Sequence, residues 1–462
     1  MNLSEIKYVY LLGIGGIGMS ALARYFKANG KIVSGYDRTQ TTLTIELVSE
    51  GIDVNYSDEM ENIPPHISSN QSLSLIIFTP AIPKDSVQYN YLLKSGVNMV
   101  KRSVVLGWIA EQSFTIAVAG THGKTTTSSI ITHLLKQADV NCTAFVGGIS
   151  INYDSNFILG NYDDASNLPK VVVEADEFDR SFLTLHPDIA VITSMDADHL
   201  DIYGDKEQLE ESYRLFAKQV KHNGLLIHKA GLPIPTSATK NFSYSIEQQA
   251  DYRGENIRVE NNQFVFDLFT PQNSFPEFSL GLPGRHNVEN AVAACAVALQ
   301  SGVETEKIKL ALASYRGVHR RFEYHIRNKN LTFIDDYAHH PEELRAAISS
   351  VKELYPDKKI TGIFQPHLYT RTRDFVDGFA ESLSLLDQLF LLDIYPAREL
   401  PIEGITSKII LDKVTITDKK IVAKENLLAE LKASKPEVVM TLGAGDIDAL
   451  VVPIKKTLDQ LL

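Results

Sequence analysis

Short apolar runs recur along the chain, each followed by a glycine-rich or acidic turn and then by a stretch with apolar residues every three or four positions. A run of four to six apolar or β-branched residues fits a strand buried on both faces. The 3.6-residue spacing fits a helix that covers it. In the first hundred residues this pattern predicts a strand at 8–12, a glycine-rich turn at 13–18 and a helix at 19–28. A second strand at 31–35 ends at Asp37, and a third lies at 73–79. A second unit opens at 114–119 (FTIAVA) and runs through GTHGKTTT into an apolar helix reaching Leu135. Short buried strands follow at 171–173 and 189–193, with acidic residues and a histidine just beyond them. Residues 230–280 are more polar and alternate weakly (QFVFDLF), which predicts an antiparallel stretch inside the second domain. An Ala-rich helix is expected at 287–299, and a third unit begins near Tyr315 with strands at 331–334, 360–364, 389–392 and 438–442. Strand–helix alternation of this kind predicts an α/β fold with parallel sheets, divided near residues 107 and 316. No internal repeat or low-complexity linker interrupts it.

Composition narrows the class. At ~150 residues per domain, 462 residues suit about three domains. The net charge of −12 argues against a general nucleic-acid surface, although a helix terminus or an arginine cluster can still hold phosphate. Two cysteines, Cys142 and Cys295, exclude a disulfide framework and a cysteine-based zinc site. No signal peptide and no membrane-spanning segment is expected, so the chain reads as cytoplasmic, without membrane insertion.

The strongest local signal is GTHGKTTT at 120–127, between a strand and a helix. Glycines let backbone N–H groups approach phosphate oxygens, Lys124 suits β and γ phosphates, and the Thr125 hydroxyl suits Mg²⁺. The strict phosphate-loop pattern requires glycine at 118, where this chain has Val118, so the loop is a shortened variant. A second glycine turn, Gly13-Ile14-Gly15-Gly16-Ile17-Gly18, fits the dinucleotide fingerprint, with Asp37 placed to accept from a ribose or base. NAD and a UDP-sugar diphosphate both fit that turn. A second phosphate loop in the same chain favours the latter, because a dehydrogenase has no use for it.

Glu174 follows a buried strand and is a candidate Mg²⁺ ligand. His199, in Asp196-Ala197-Asp198-His199, is a second; the aspartates either assist or cap a helix. Asn287 and Asn290 open the Ala-rich helix as base or ribose ligands or as caps. Arg320 and Arg321 offer guanidinium to a γ-phosphate or an anionic intermediate. Asp335-Asp336-Tyr337-Ala338-His339-His340 and the Gln365–Arg373 run follow successive strands and imply a shared site. A zinc site is disfavoured, because adjacent His339 and His340 are poorly placed to face one metal.

The ordered set GIGGIGM, GTHGKTTT, EADEFDRSFL, DHLDIYG, HNVEN, RRFE, DDYAHHP, QPH-YTRTR, DIYPARE and GAGDI resembles the Mur ligase superfamily, the ATP-dependent amide-forming enzymes of peptidoglycan synthesis. The resemblance implies three domains. These are an N-terminal Rossmann-like domain for the UDP substrate (1–107), a central P-loop ATPase-type α/β domain (108–316) and a C-terminal Rossmann-like α/β domain for the amino acid (317–462). It implies ATP and Mg²⁺ as cofactors and ligation of L-alanine to the lactyl carboxylate of UDP-N-acetylmuramate through an acyl phosphate. The alternative is a recycling ligase that attaches a murein peptide to the same nucleotide sugar.

By the same resemblance, Gly13, Gly15, Gly16, Gly18, Asp37 and Thr79 serve the UDP substrate. Gly120, Thr121, His122, Gly123, Lys124, Thr125, Thr126, Asn287, Asn290, Arg321 and Asp336 serve ATP. Thr125, Glu174 and His199 serve the metal, and Tyr337, His367, Arg371 and Arg373 serve the amino acid. Lys124, His199, Arg321 and His367 are the expected catalytic residues, with either histidine able to take the amine proton. Two departures stand out: Leu368 occupies a position commonly arginine in relatives, and Tyr213 falls where several sister ligases carry a carbamylated lysine. The small-molecule substrates imply no nucleic-acid partner, and the chain is expected to be a monomer or a weak homodimer.

Overall fold

The computed structural model describes residues 3–164, 166–196, 203–234, 240–397 and 399–462. They form two compact units. The first comprises 1–254 with 268–275 and 289–312, and the second comprises 255–267, 276–288 and 313–462.

In the first unit, β1 (Tyr8–Leu12), β2 (Ile32–Tyr36), β3 (Asp53–Asn55), β4 (Ser74–Phe78) and β5 (Asn98–Lys101) make a parallel sheet ordered β3-β2-β1-β4-β5. The sequence dictates why β1 is central. Val9 and Leu11 enter one core with Leu75 and Ile77 of β4, while Tyr10 and Leu12 enter another with Ile76. A strand apolar on both faces has to be covered on both. The helix Ile17–Ala28 starts two residues before its expected position, with Gly16 in extended backbone as its N-cap.

A second sheet is built on β6 (Thr115–Ala119), β7 (Cys142–Ser150), β8 (Ser155–Ile158), β9 (Lys170–Glu174), β10 (Ile189–Ile192), β11 (Leu225–Lys229), β12 (Lys240–Ser245) and β13 (Tyr252–Glu260). β6 sits between β10 and β9, parallel to both, so the chain leaves three adjacent strand ends at one edge. Ligands of open parallel sheets bind at that edge. β7 runs parallel to β9 and antiparallel to β8.

The antiparallel reading of 230–280 is corrected at its start. β12 is parallel to β11, and its last two residues, Tyr244 and Ser245, pair in parallel with Tyr252 and Arg253 of β13. The weak alternation reported half-buried strands but carried no information about their direction. β13, β14 (Gln263–Phe269) and β15 (Ser274–Leu280), each with part of its residues in the second unit, are neighbours in that order.

The second unit also holds a sheet ordered β16-β17-β21-β18-β19-β20, from β16 (Glu323–Arg327), β17 (Thr332–Asp336), β18 (Ile360–Phe364), β19 (Gln388–Leu391), β20 (Lys419–Ile421) and β21 (Val438–Leu442). All its pairs are parallel except β16 with β17. Phe333, Ile363, Phe390 and Val439 pack there with Ile454 and Leu458 of the last helix, Asp448–Asp459. Among the described residues no helix is long and apolar enough to cross a membrane.

Candidate functional site

The loop after β6 is shaped by what it cannot accommodate. Gly120 has φ +136°, and a Cβ there would lie 2.0 Å from Thr193 Oγ1, at the end of β10. Gly123, the N-cap of the helix Lys124–Gln137, has φ +82°, and its Cβ would meet Asn290 Oδ1 at 2.6 Å. Both positions need glycine. Val118 is wholly buried in β6, so the strand itself occupies the place where a longer phosphate loop would begin. Neighbouring strand ends brace the loop. The Ser194 hydroxyl accepts from the His122 N–H at 2.8 Å, the Thr193 hydroxyl donates to the His122 carbonyl, and the Thr121 hydroxyl donates to the Asp196 carbonyl at 2.9 Å. Asn290 accepts from the Thr127 hydroxyl at 3.2 Å, which makes it a support of the loop.

Lys124 Nζ donates to the Gly120 carbonyl at 2.6 Å, to Thr121 O at 3.2 Å and to Glu177 Oε1 at 2.9 Å. Burial alone would lower the pKa of this ammonium, but Glu177 and Glu174 outweigh burial and hold it above its ordinary value. Burial pushes the Glu177 carboxyl upward against the pull of Lys124. Sequence reasoning passed over Glu177. Nothing in EADEFD marks it beyond its neighbours; only the turn that folds it back onto Lys124 does. The Tyr203 hydroxyl donates to the Glu177 carbonyl at 2.6 Å. Tyr213 is fully buried, its hydroxyl 3.5 Å from Thr121 Oγ1, and burial drives its pKa well above the ordinary phenol value.

Glu174 ends β9 half-buried, with Oε2 accepting the Gly147 N–H at 3.1 Å. It faces a cleft of about 250 Å³ that it shares with Gly16, Gly18, Thr79, Arg102 and Asp176. The structure thus brings the first glycine turn and a strand-end carboxylate of the second sheet to one cavity. Arg102 spans it. A Cβ on Gly18 would lie 2.8 Å from its guanidinium, which pairs with Asp176 at 3.2 Å. Gly13 packs on Thr79, where a Cβ would come within 2.6 Å of the Thr79 methyl. Asp37 serves the turn itself: Oδ2 accepts the Gly15 N–H at 2.8 Å. His199 and Asp198 lie outside the described residues.

In the second unit Asp336 ends β17, buried, and accepts the N–H groups of Phe322 and Ala338 at 2.8 Å each. Burial raises its pKa to about 6, while nearby Arg321 pulls the other way. The Tyr337 ring lies 5.1 Å from each of the Arg320 and Arg321 guanidiniums. Arg320 also pairs with buried Asp335 at 3.3 Å and donates to the Gly443 carbonyl at 2.7 Å. Donor atoms of Glu323, His325 and Asp335 lie within 4.8 Å of one another, but Arg320 already pairs with Asp335 and His319 Nδ1 lies 2.8 Å from Glu323. The His367 ring stacks on Tyr395 at 5.8 Å and stands 6.2 Å from His339. Next to it Leu368 has φ +70°, an unfavourable backbone for a branched side chain. Arg371 is half-buried, whereas Arg373 is exposed and pairs with its neighbour Asp374 at 2.7 Å. Asn287 donates to the Pro283 carbonyl at 2.5 Å.

Family models match three segments in order: the Mur ligase family catalytic domain over 8–114, the Mur ligase middle domain over 118–298 and the Mur ligase glutamate ligase domain over 320–445. The chain is 51% identical over 457 residues to a UDP-N-acetylmuramate–L-alanine ligase of Christiangramia forsetii, covering 99% of both chains. It is 51% identical over 460 residues to one of Flavobacterium johnsoniae, covering 100% of both. Among solved structures, the UDP-N-acetylmuramate-alanine ligase of Thermotoga maritima superposes with a TM-score of 0.82 at 27% identity, over 98% of this chain and 99% of that one. A murein peptide ligase of Psychrobacter arcticus shares the fold, with a TM-score of 0.69 at 21% identity over 99% of each chain.

Proposed function

The chain belongs to the Mur ligase family, and from that premise we propose that it joins L-alanine to the lactyl carboxylate of UDP-N-acetylmuramate at the expense of ATP. The observation that carries the reading is the arrangement in the first unit. A diphosphate-type glycine turn and Glu174 share one cleft, and the Glu174 charge helps keep Lys124 protonated.

A free carboxylate is a poor acylating agent. In the proposed first step its oxygen attacks the γ-phosphorus of ATP, the bond to the β-phosphate oxygen breaks, and ADP leaves an acyl phosphate. The alanine nitrogen then attacks the acyl carbon and loses a proton. The carbon–oxygen bond to phosphate breaks, giving the amide and orthophosphate. The protein's part in the first step is positioning and charge neutralisation. Lys124 supplies a cation kept protonated by buried Glu177 and half-buried Glu174, and we assign Arg321 to the γ-phosphate. The Thr125 hydroxyl in the first helical turn and the half-buried Glu174 carboxylate are hard oxygen donors that suit Mg²⁺. When bound there the ion would screen the phosphate charge.

Gly13, Gly15, Gly16, Gly18 and Thr79 are assigned to the UDP substrate, with Asp37 holding the turn in shape. Asp336, Asn287 and Asn290 are assigned to ATP; Tyr337, His367 and Arg371 to alanine. Arg373, turned outward, is assigned an electrostatic part only. The reaction draws on ATP and a UDP-sugar, which places it in the cytoplasm.

ADP release with UDP-N-acetylmuramate and either L-alanine or a tripeptide tests the proposal. L-Alanine is expected to drive it; a preference for the tripeptide would move the chain to the recycling reaction. The relatives of about 50% identity are named for alanine, which favours the first outcome.

A further inference from the structure

We propose that Glu177 is a positioning residue that parks Lys124 when no nucleotide is bound and yields it to the phosphates when one arrives. The inference rests on the reading of 120–127 as the ATP loop and deepens it. A protonated amine has three donors. Lys124 spends them on Gly120 O, Thr121 O and Glu177, whose second oxygen also lies 2.8 Å away. A phosphate oxygen therefore gains Lys124 only by displacing one of these partners. The two carbonyls belong to the loop that would wrap the phosphates. Glu177 is the partner that carries negative charge, so it competes with phosphate for the same cation.

Its placement is constructed. Glu177 is 2% exposed, and its carbonyl is fixed by the Tyr203 hydroxyl. Just beyond it, Asp179 and Arg180 both adopt left-handed backbone, at φ 54° and 53°. Two such residues in succession persist only where surrounding contacts impose them. Here Asp179 pairs with Lys101 at 2.8 Å, and the Arg180 guanidinium lies over the Tyr203 ring at 5.5 Å.

Breaking the Lys124–Glu177 pair opposes nucleotide binding, and re-forming it favours departure of ADP. Glu177 is thus a brake on affinity that speeds product release. Binding of a non-hydrolysable ATP analogue with Mg²⁺, and of AMP, to the intact chain and its variants tests this. Glu177→Gln is expected to bind the analogue about tenfold tighter, the difference between a charged and a neutral partner. It should leave AMP affinity unchanged, and kcat should fall together with KM for ATP. In a Lys124→Met background the same substitution is expected to change nothing further. Should Glu177→Gln fail to fold, Glu177→Asp keeps the charge but withdraws it, and two- to threefold tightening is expected.

Analogue binding that is unchanged or weaker in the folded variant overturns the proposal, and so does tightening that survives in Lys124→Met. If the unaltered protein binds no ATP analogue, the loop reading itself fails and takes the proposal with it.

Discussion

Two opposing effects meet on Lys124. Removal from water disfavours its charge, and a carboxylate 2.8 Å away restores it. Such a group is a cation at any working pH, which phosphoryl transfer requires. Lys124→Ala is expected to lower ADP release roughly a thousandfold while calorimetric binding of UDP-N-acetylmuramate survives, because that substrate is assigned to a different glycine turn. Normal ATP turnover in this variant would remove the loop from the mechanism. The lysine and its glycines were legible because phosphate chemistry constrains residue type and spacing together. Glu177 was not legible, since its contact with Lys124 depends on a backbone turn. Asp37 was legible as a ribose or base acceptor, and its Oδ2 also accepts the Gly15 N–H.

At the scale of elements, what the sequence revealed follows burial in the first and last sheets; in the second sheet β7 and β11, buried and interior, lie outside the expected strands. In the first sheet the expected strands match β1, β2 and β4, while the edge strands β3 and β5 escaped notice. In the last sheet β17, β18, β19 and β21 were readable, and again the two edges, β16 and β20, were not. An edge strand buries little, so DVN, NMVK and KKI lack the apolar run that marks a central strand.

The helix Lys124–Gln137 shows how burial also sets pH behaviour. Its His133 is buried, with Nδ1 3.0 Å from the Tyr153 hydroxyl and Nε2 3.0 Å from the Ala311 carbonyl. Burial, only partly offset by the bond to Ala311, lowers its pKa from 6.5 to about 4. Between those values the unfolded chain binds more protons than the folded one. The stability present at neutral pH is therefore lost as pH falls from 6.5 toward 4, at up to about 1.4 kcal/mol per pH unit. His133→Gln is expected to flatten the fall of the urea midpoint across that window. An unchanged slope would mean that His133 is not the titrating group.

At the scale of the molecule, the proposed tasks fall on three sheets. The first presents a glycine turn to the cleft and the second presents Glu174 to it. The third gathers Asp336, Tyr337 and His367 at the C-terminal ends of β17 and β18. Motif order and fold class were readable across the whole length because each task needs its own short run of constrained residues after a buried strand. Division into two compact units was not, because the chain passes between them several times without a linker of distinctive composition.

The proposed reaction requires transfer of a phosphoryl group to the lactyl carboxylate before nitrogen attacks. UDP-N-acetylmuramate labelled with oxygen-18 in that carboxylate, turned over with ATP and L-alanine, tests this directly. One labelled oxygen is expected in each orthophosphate released; orthophosphate free of label would contradict the acyl-phosphate route.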